Sequence, residues 1–265
     1  MKMEKVYVTT SLHASESVCN QGRKWAVSIH AFFIERGEQN IEQLLTAYHI
    51  EAILVFTMQG PEIRTFLGRH AFHLSMAELR IQHIRQGMTD YFLEALGAEG
   101  PVRLLDCTCG FGSDAIVASF GLPAGSDVHA LEISPYMAAV TSWGLAHFVH
   151  KQADVTKAMR RIGLQHDDYR DYLRRTDIAP YDIIYFDPMF ARPIRSSPQF
   201  HPVRNLLEHE TVSDECLALA LTKARRRVVI KGRSFQRLKM VYPRVKLYGG
   251  KYSRIGYAVL ECEHG

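Results

Sequence analysis

No apolar run in the 265-residue chain approaches the ~20 residues that a membrane helix needs. The opening stretch, MKMEKVYVTT, lacks the apolar core of a secretory signal. No Gly/Ser-rich or single-charge block suggests disorder, and no segment repeats at a fixed period. Cysteine is sparse and odd in number: Cys19, Cys107, Cys109, Cys216 and Cys262. Such a scattered set suits reduced thiols in a cytoplasm rather than a disulfide framework. Cys107 and Cys109 are two apart, not the three-residue step of a zinc knuckle, and no second Cys/His pair has ligand spacing. His70 and His73 lack acidic or His companions at helical ligand spacing, so they read as core or rim residues and no metal is expected. There is no nucleophile elbow for Ser-His-Asp hydrolysis and no Walker loop.

What remains is an ordinary globular composition, 47% hydrophobic and 23% charged. The net charge of +4 is unevenly spread. From Ala191 to Arg254 there are 15 Lys/Arg against 4 Asp/Glu, a local balance of +11, while the rest of the chain stands at −7. A basic C-terminal quarter on an otherwise acidic chain points to a polyanionic partner such as nucleic acid, or to a solvated basic face.

The N-terminal part reads as a small α/β unit. Val6 to Thr10 is a short β-branched strand, and Glu16 to Arg36 carries apolar residues at helical spacing up to Gly37. Asn40 is placed to cap a second helix, and Ala52 to Thr57 is a compact strand before the turn Gln59-Gly60-Pro61. Helices are expected over Met76 to Gln86 and Thr89 to Leu96. From Pro101 the pattern changes to apolar runs alternating with helices: Val102–Asp106, Asp127–Ile133, Tyr181–Phe186 and Arg227–Lys231. That alternation implies βαβ units and a parallel sheet covered on both faces. Tyr242 to Leu247 and Tyr252 to Cys262 read as an antiparallel pair closing it.

Four segments carry chemistry. Asp106-Cys107-Thr108-Cys109-Gly110-Phe111-Gly112-Ser113-Asp114 sits at a strand-to-helix turn. Gly110 and Gly112 allow close backbone approach, and the helix behind offers free N–H groups. The dinucleotide fingerprint is incomplete, because Ala115 takes the place of its third glycine. Asp106 would repel a pyrophosphate but attract an ammonium or a sulfonium, which favours S-adenosylmethionine over a nicotinamide cofactor. Glu132, at the end of the second strand beside Ile133, can accept ribose hydroxyls. Asp154, before Val155, takes an adenine amino group if it ends a short third strand, or else caps a helix. Asp187-Pro188-Met189-Phe190 follows the strand YDIIYF and is the most specific signal. An acid, a proline and an aromatic at a strand end make a tight platform. Behind it run Arg192, Arg195, Lys231 and Arg233, suited to RNA phosphates.

These segments together resemble class I S-adenosylmethionine-dependent methyltransferases. Leu105–Ala115 and Tyr185–Phe190 are similar to the bacterial small-subunit ribosomal RNA guanine-N2-methyltransferase family. The resemblance covers roughly residues 70–260, and the first ~70 residues resemble an extension of a Gram-positive branch. It implies a cofactor contacted by Ser113 and Asp114, by Glu132, by the region of Asp154 and Val155, and by Asp187; Asp106, Thr108, Gly110, Gly112 and Ile133 are expected beside them in the same site. It also implies that Asp187 and the Pro188 carbonyl orient the amine, that Phe190 stacks on the base, and that Met189 stands where related tetrapeptides carry a second proline. An Arg often stands in the rRNA enzymes where this chain has Ser113, and their Lys-rich loop is here Ala191-Arg192-Pro193-Ile194-Arg195.

The expectation is a Rossmann-like class I methyltransferase sheet with a C-terminal antiparallel strand pair over 76–265, plus a small N-terminal α/β annex over 1–75. The expected reaction is N-methylation of a nucleobase amine, with guanine N2 in structured, ribosomal RNA first. The alternatives are a methyltransferase acting on a small molecule or protein, and a non-catalytic RNA-binding protein retaining the fold. The expected setting is cytoplasmic, with no membrane and no metal; oligomeric state stays open.

Overall fold

The computed structural model describes residues 5–188, 203, 212–250 and 254–262. These residues form two compact units, one containing 5–73 and 134–147, the other 74–133, 148–188, 212–250 and 254–262. The chain begins with β1 (Tyr7–Thr10), α1 (Glu16–Ser28), β2 (Phe32–Phe33), α2 (Ile41–Ala47), β3 (Ala52–Thr57), β4 (Gly60–Thr65) and β5 (Gly68–Ala71). It continues through α3 (Ser75–Arg85), α4 (Tyr91–Leu96), β6 (Arg103–Asp106), α5 (Ser113–Gly121), β7 (Asp127–Glu132) and α6 (Pro135–His147). Then come α7 (Ala153–Arg160), β8 (Ile162–His166), α8 (Tyr169–Arg174) and β9 (Tyr181–Phe186). After the tetrapeptide region follow α9 (Asp214–Lys223), β10 (Ala224–Gly232), α10 (Gln236–Val241), β11 (Lys246–Tyr248) and β12 (Gly256–Glu261).

The first unit is a five-stranded sheet in the order β2-β1-β3-β4-β5. β2 and β3 flank β1 in parallel, and β3, β4 and β5 form antiparallel hairpins. Asn40 caps α2 in a reciprocal box with Gln43, at 2.9 Å and 2.8 Å. Leu44 and Leu45 from that helix pack on Ile34, Ile53 and Val55. The helix expected over Glu16–Arg36 is shorter, ending at Ser28. His30 adopts a left-handed φ of 55°, and Phe32 and Phe33 then pair with Tyr7 and Val8 as β2. Adjacent phenylalanines satisfy a strand as well as a helix, and parallel pairing with β1 decides it. α6, which the sequence reading runs on with the methyltransferase strands, packs on β3 and β4. It is buried along Tyr136–Thr141, Gly144 and Leu145. Gly144 is there because of Phe72: a Cβ at that position would lie 1.9 Å from the ring.

The second unit is a seven-stranded sheet in the order β11-β12-β10-β9-β6-β7-β8. The five strands from β10 to β8 are parallel, while β12 is antiparallel to both β10 and β11. This is the Rossmann-like sheet with a closing antiparallel pair. Its central strands are buried on both faces, which is why they read as unbroken apolar runs: RLLD, DVHALE and YDIIYF. Leu105, Leu131, Ile184, Phe186 and Val228 fill one face against Leu173, Leu217 and Ala220 of α8 and α9. Because the parallel strands share one direction, Asp106, Glu132 and Asp187 all arrive at the same carboxyl edge, where ligands of open α/β sheets bind. Among the described residues no helix is long and apolar enough to cross a membrane.

Candidate active site

The glycine turn after β6 is tied down from three sides. The Cys107 N–H donates to the Tyr185 carbonyl at 2.9 Å, the Cys109 N–H to the Leu131 carbonyl at 2.8 Å, and the Gly112 N–H to the Cys109 carbonyl at 2.8 Å. Gly110 has φ 53° and Gly112 φ 79°, both in the left-handed region that a side chain disfavours. The Gly110 N–H donates to Glu132 Oε2 at 2.7 Å, so the acid ending β7 braces the turn. Among the described residues no atom beyond its chain neighbours lies within 4 Å of where a Gly110 Cβ would stand. α5 starts behind the turn at Ser113.

Beside this cradle lies a buried chain of alternating charges. Asp90 caps α4, accepting from the Phe92 and Leu93 N–H groups. Arg80 of α3 holds both Asp90 oxygens at 2.8 Å and extends its third nitrogen to Asp114 Oδ1. Asp114 Oδ2 accepts from the Tyr185 hydroxyl at 2.8 Å and from Lys231 Nζ at 2.9 Å. Lys231 Nζ also donates to Asp187 Oδ2 at 2.7 Å. The Asp187 N–H donates to Thr108 Oγ1 at 2.7 Å, and the Thr108 N–H to Asp106 Oδ1 at 3.0 Å. Phe92 packs between Tyr185 and Tyr257, with Arg80 over its ring.

This arrangement shifts each proton affinity for a nameable cause. Burial alone would raise the Asp114 carboxyl, but the Lys231 and Arg80 cations hold it well below the usual carboxylate range. Burial pushes Asp187 up to about 6; Lys231 pulls against that rise and Asp114 adds to it. Burial pushes Asp106 up to about 8, partly offset by the Thr108 N–H. Lys231 is driven up by its two carboxylates despite its burial. With Asp106 carrying its proton, the chain from Asp90 to Asp187 holds three negative and two positive charges. The residual negative charge suits a ligand bearing a sulfonium and an ammonium.

The structure therefore brings together Asp106, Thr108, Gly110, Gly112, Ser113, Asp114, Glu132, Asp187 and Pro188, with Ile133 at the next position after β7. Asp154 and Val155 are elsewhere. Instead of ending a third strand, Asp154 lies in the first turn of α7, where Arg85 Nη2 holds its oxygens at 2.7 Å and 2.6 Å. Val155, Ala158 and Met159 set the helical burial that decides this. The third strand is β8, which ends before Asp167 and Asp168. Lys231 also departs from expectation. Its ammonium turns inward onto two carboxylates, which withdraws it from an RNA-facing surface, whereas Arg233 is exposed. Met189, Phe190, Arg192 and Arg195 lie outside the described residues. Sequence reasoning missed Arg80, Asp90 and the Tyr185 hydroxyl, because a lone Arg in the connecting helix and a Tyr in a core strand carry no spacing signal. Among the described residues no group of three or more His, Cys, Asp or Glu side chains is arranged to hold a metal ion.

Comparison with known proteins gives these residues a context. Residues 67–254 match a family described as "Putative SAM-dependent methyltransferase". The uncharacterized protein YpiP of Bacillus subtilis is 29% identical over 225 residues, covering 84% of this chain and 87% of that protein. Ribosomal RNA small subunit methyltransferase J of Thioalkalivibrio sulfidiphilus is 33% identical over 132 residues, covering 48% of this chain and 50% of that enzyme, so the match spans about half of each. A SAM-dependent methyltransferase of Neisseria gonorrhoeae shares the fold at a TM-score of 0.65 and 20% identity, covering 98% of this chain and 97% of that one. With the family match spanning most of the chain, and with the glycine cradle and strand-end acids lying inside the matched segment, this protein belongs to the S-adenosylmethionine-dependent methyltransferases.

Proposed function

We propose that this methyltransferase acts on an exocyclic amine of a nucleobase, with guanine N2 in structured ribosomal RNA as its target. The observation that carries the reading is Asp187. It directly follows the central strand β9, is followed at once by Pro188, and among the described residues is hydrogen-bonded through one carboxylate oxygen beside the glycine cradle. A basic chain segment from residue 191 to 254 and relatives named for ribosomal RNA support an RNA substrate.

When bound, S-adenosylmethionine supplies a methyl group already activated on a sulfonium. The work left to the chain is positioning. Glu132 and the Gly110 backbone would hold the nucleoside end, and the net negative charge of Asp90, Asp114 and Asp187 would favour the donor's positive charge. Asp187 and the Pro188 carbonyl accept hydrogen bonds from the amine and aim its nitrogen at the methyl carbon. Phe190 is assigned the stacking contact with the base. The amine nitrogen gains the methyl and loses one proton, and Asp187, raised to about 6, is tuned to take it.

The test is mass spectrometry of nucleosides from rRNA and tRNA of cells with and without the gene, beside turnover assays of Asp187→Asn. Loss of one methylated guanosine, and a fall of about 100-fold or more in turnover with cofactor affinity intact, are expected. An Asp187→Ala protein that binds cofactor and keeps full methyl transfer would sink the assignment.

A further inference from the structure

We propose that Lys231 is a positioning residue: its buried ammonium, shared between Asp114 and Asp187, keeps the Asp187 carboxylate charged and turned so that its second oxygen is free for the amine. This rests on the reading of Asp187 as the group that receives the amine.

Lys231 lies within β10, between β9 and β12. Its neighbour Ile230 pairs with Phe186, and Lys231 itself pairs with Tyr257. Both flanking strands are fixed by their ladders, so the lysine stem has a defined origin and its ammonium a defined reach. The two carboxylates it meets differ in what they have left to offer. Asp114 is filled: Oδ1 takes Arg80, and Oδ2 takes Tyr185 and Lys231. Asp187 gives Oδ2 to Lys231, and among the described residues no hydrogen bond falls on its Oδ1. The same ammonium thus separates a structural anchor from a working group. Asp114 stabilises the lysine, and the lysine orients Asp187.

Among the described residues, the charged and titratable groups around Asp187 come from several elements. They are Asp106 from β6, Asp114 from α5, Tyr185 from β9, Lys231 from β10 and Tyr257 from β12, with Arg80 of α3 and Asp90 of α4 beyond Asp114. Among the described residues only Lys231 places a cation directly on Asp187. Removing it leaves the buried Asp114 and the part-buried Asp187 carboxylates facing each other, and the less supported one, Asp187, holds its proton to higher pH. Removing the Asp114 charge does the reverse: the lysine then serves Asp187 alone. The rise of Asp187 to about 6 fits a carboxylate pushed up by desolvation and by the Asp114 charge and pulled down by the Lys231 cation.

The two variants make predictions of opposite sign, which a loss of structure alone would not produce. Protein labelled with ¹³C at aspartate carboxyls is titrated by NMR, with Asp187→Asn identifying the Asp187 signal. Lys231→Met should move the Asp187 midpoint up by about one pH unit or more, and Asp114→Asn should move it down. The acid limb of the kcat profile should follow each shift, with KM for RNA little changed. Midpoints that stay put, or that move in the same direction, overturn the proposal. If Lys231→Met does not fold, the direction in Asp114→Asn decides alone. If the midpoints move as expected but wild-type protein yields no S-adenosylhomocysteine on any RNA, the nucleobase reading falls while the control of Asp187 by Lys231 stands.

Discussion

Replacing Arg80 with Met tests the charge chain at its centre. Arg80 is 19% exposed and grips two carboxylates that are each about as buried, Asp90 at 11% and Asp114 at 10%. Taking away one member of a buried ionic set costs about 3–5 kcal/mol, because the partners stay behind uncompensated. Two features favour the low end. Asp90 keeps the two α4 N–H groups, and Asp114 keeps Tyr185 and Lys231. Methionine also preserves much of the contact with the Phe92 ring. A loss of about 3 kcal/mol at pH 7 follows, which at ~2–4 °C per kcal/mol for a chain of this size lowers Tm by about 6–12 °C. Urea and thermal unfolding measure it, and a cycle with Asp90→Asn apportions it: the double variant should lose less than the sum. Acidification adds a signature. Asp114 is held well below its unfolded value, so the stability it contributes is present above about pH 4 and is lost as pH falls through its folded value. The gap between wild type and variant should therefore narrow in acid. An Arg80→Met protein within about 1 kcal/mol of wild type at pH 7, with a gap flat in pH, would refute the account of the chain as a structural clamp.

Asp106 predicts the opposite pH trend. Its folded value of about 8 means the folded chain keeps a proton that the unfolded chain releases above about pH 4. Stability present at low pH is thus lost as pH rises toward 8, and Asp106→Asn, which keeps an acceptor for Thr108, should gain on wild type steadily from about pH 5 to 8 in thermal unfolding; a constant difference contradicts this. Gly110→Ala meets no atom of the other described residues beyond its chain neighbours within 4 Å but forces a side chain onto φ 53°. It should cost about 1–2 kcal/mol of stability and weaken cofactor binding in calorimetry, and unchanged affinity would remove the turn from the cofactor site. RNA affinity measured between about 50 and 200 mM salt should fall steeply if the basic segment grips phosphates; a flat response returns that segment to ordinary surface.

Much of the second unit was written in the sequence because its strands are buried on both faces. YDIIYF is β9 to the residue, and its terminal acid follows as expected. β8 went unread for the converse reason. It is the edge strand, and of IGLQH only Ile162 is buried, so no apolar run marks it. The strand-end alternative for Asp154 goes with it, and Asp154 stands at a helix start instead. The strand-end acids were legible because position along a strand fixes them. The charge chain was not, because it joins Arg80 to Asp114 and Lys231 to Asp114 across 34 and 117 residues. Lys231 was misread as one more surface cation because it sits in a basic stretch, where local composition says nothing about which charge turns inward.

The placement of α6 bears on modularity. Between residues 5 and 188 the chain changes unit three times, at 73/74, 133/134 and 147/148. A gene fragment starting near residue 76 would carry α6 without β3, β4 and Phe72, which cover it. Its buried face of Met137, Val140 and Leu145 would then meet water. The N-terminal segment is therefore not a detachable accessory that recombination could add to or strip from a finished enzyme. Deletion studies on this protein therefore need point substitutions rather than truncations.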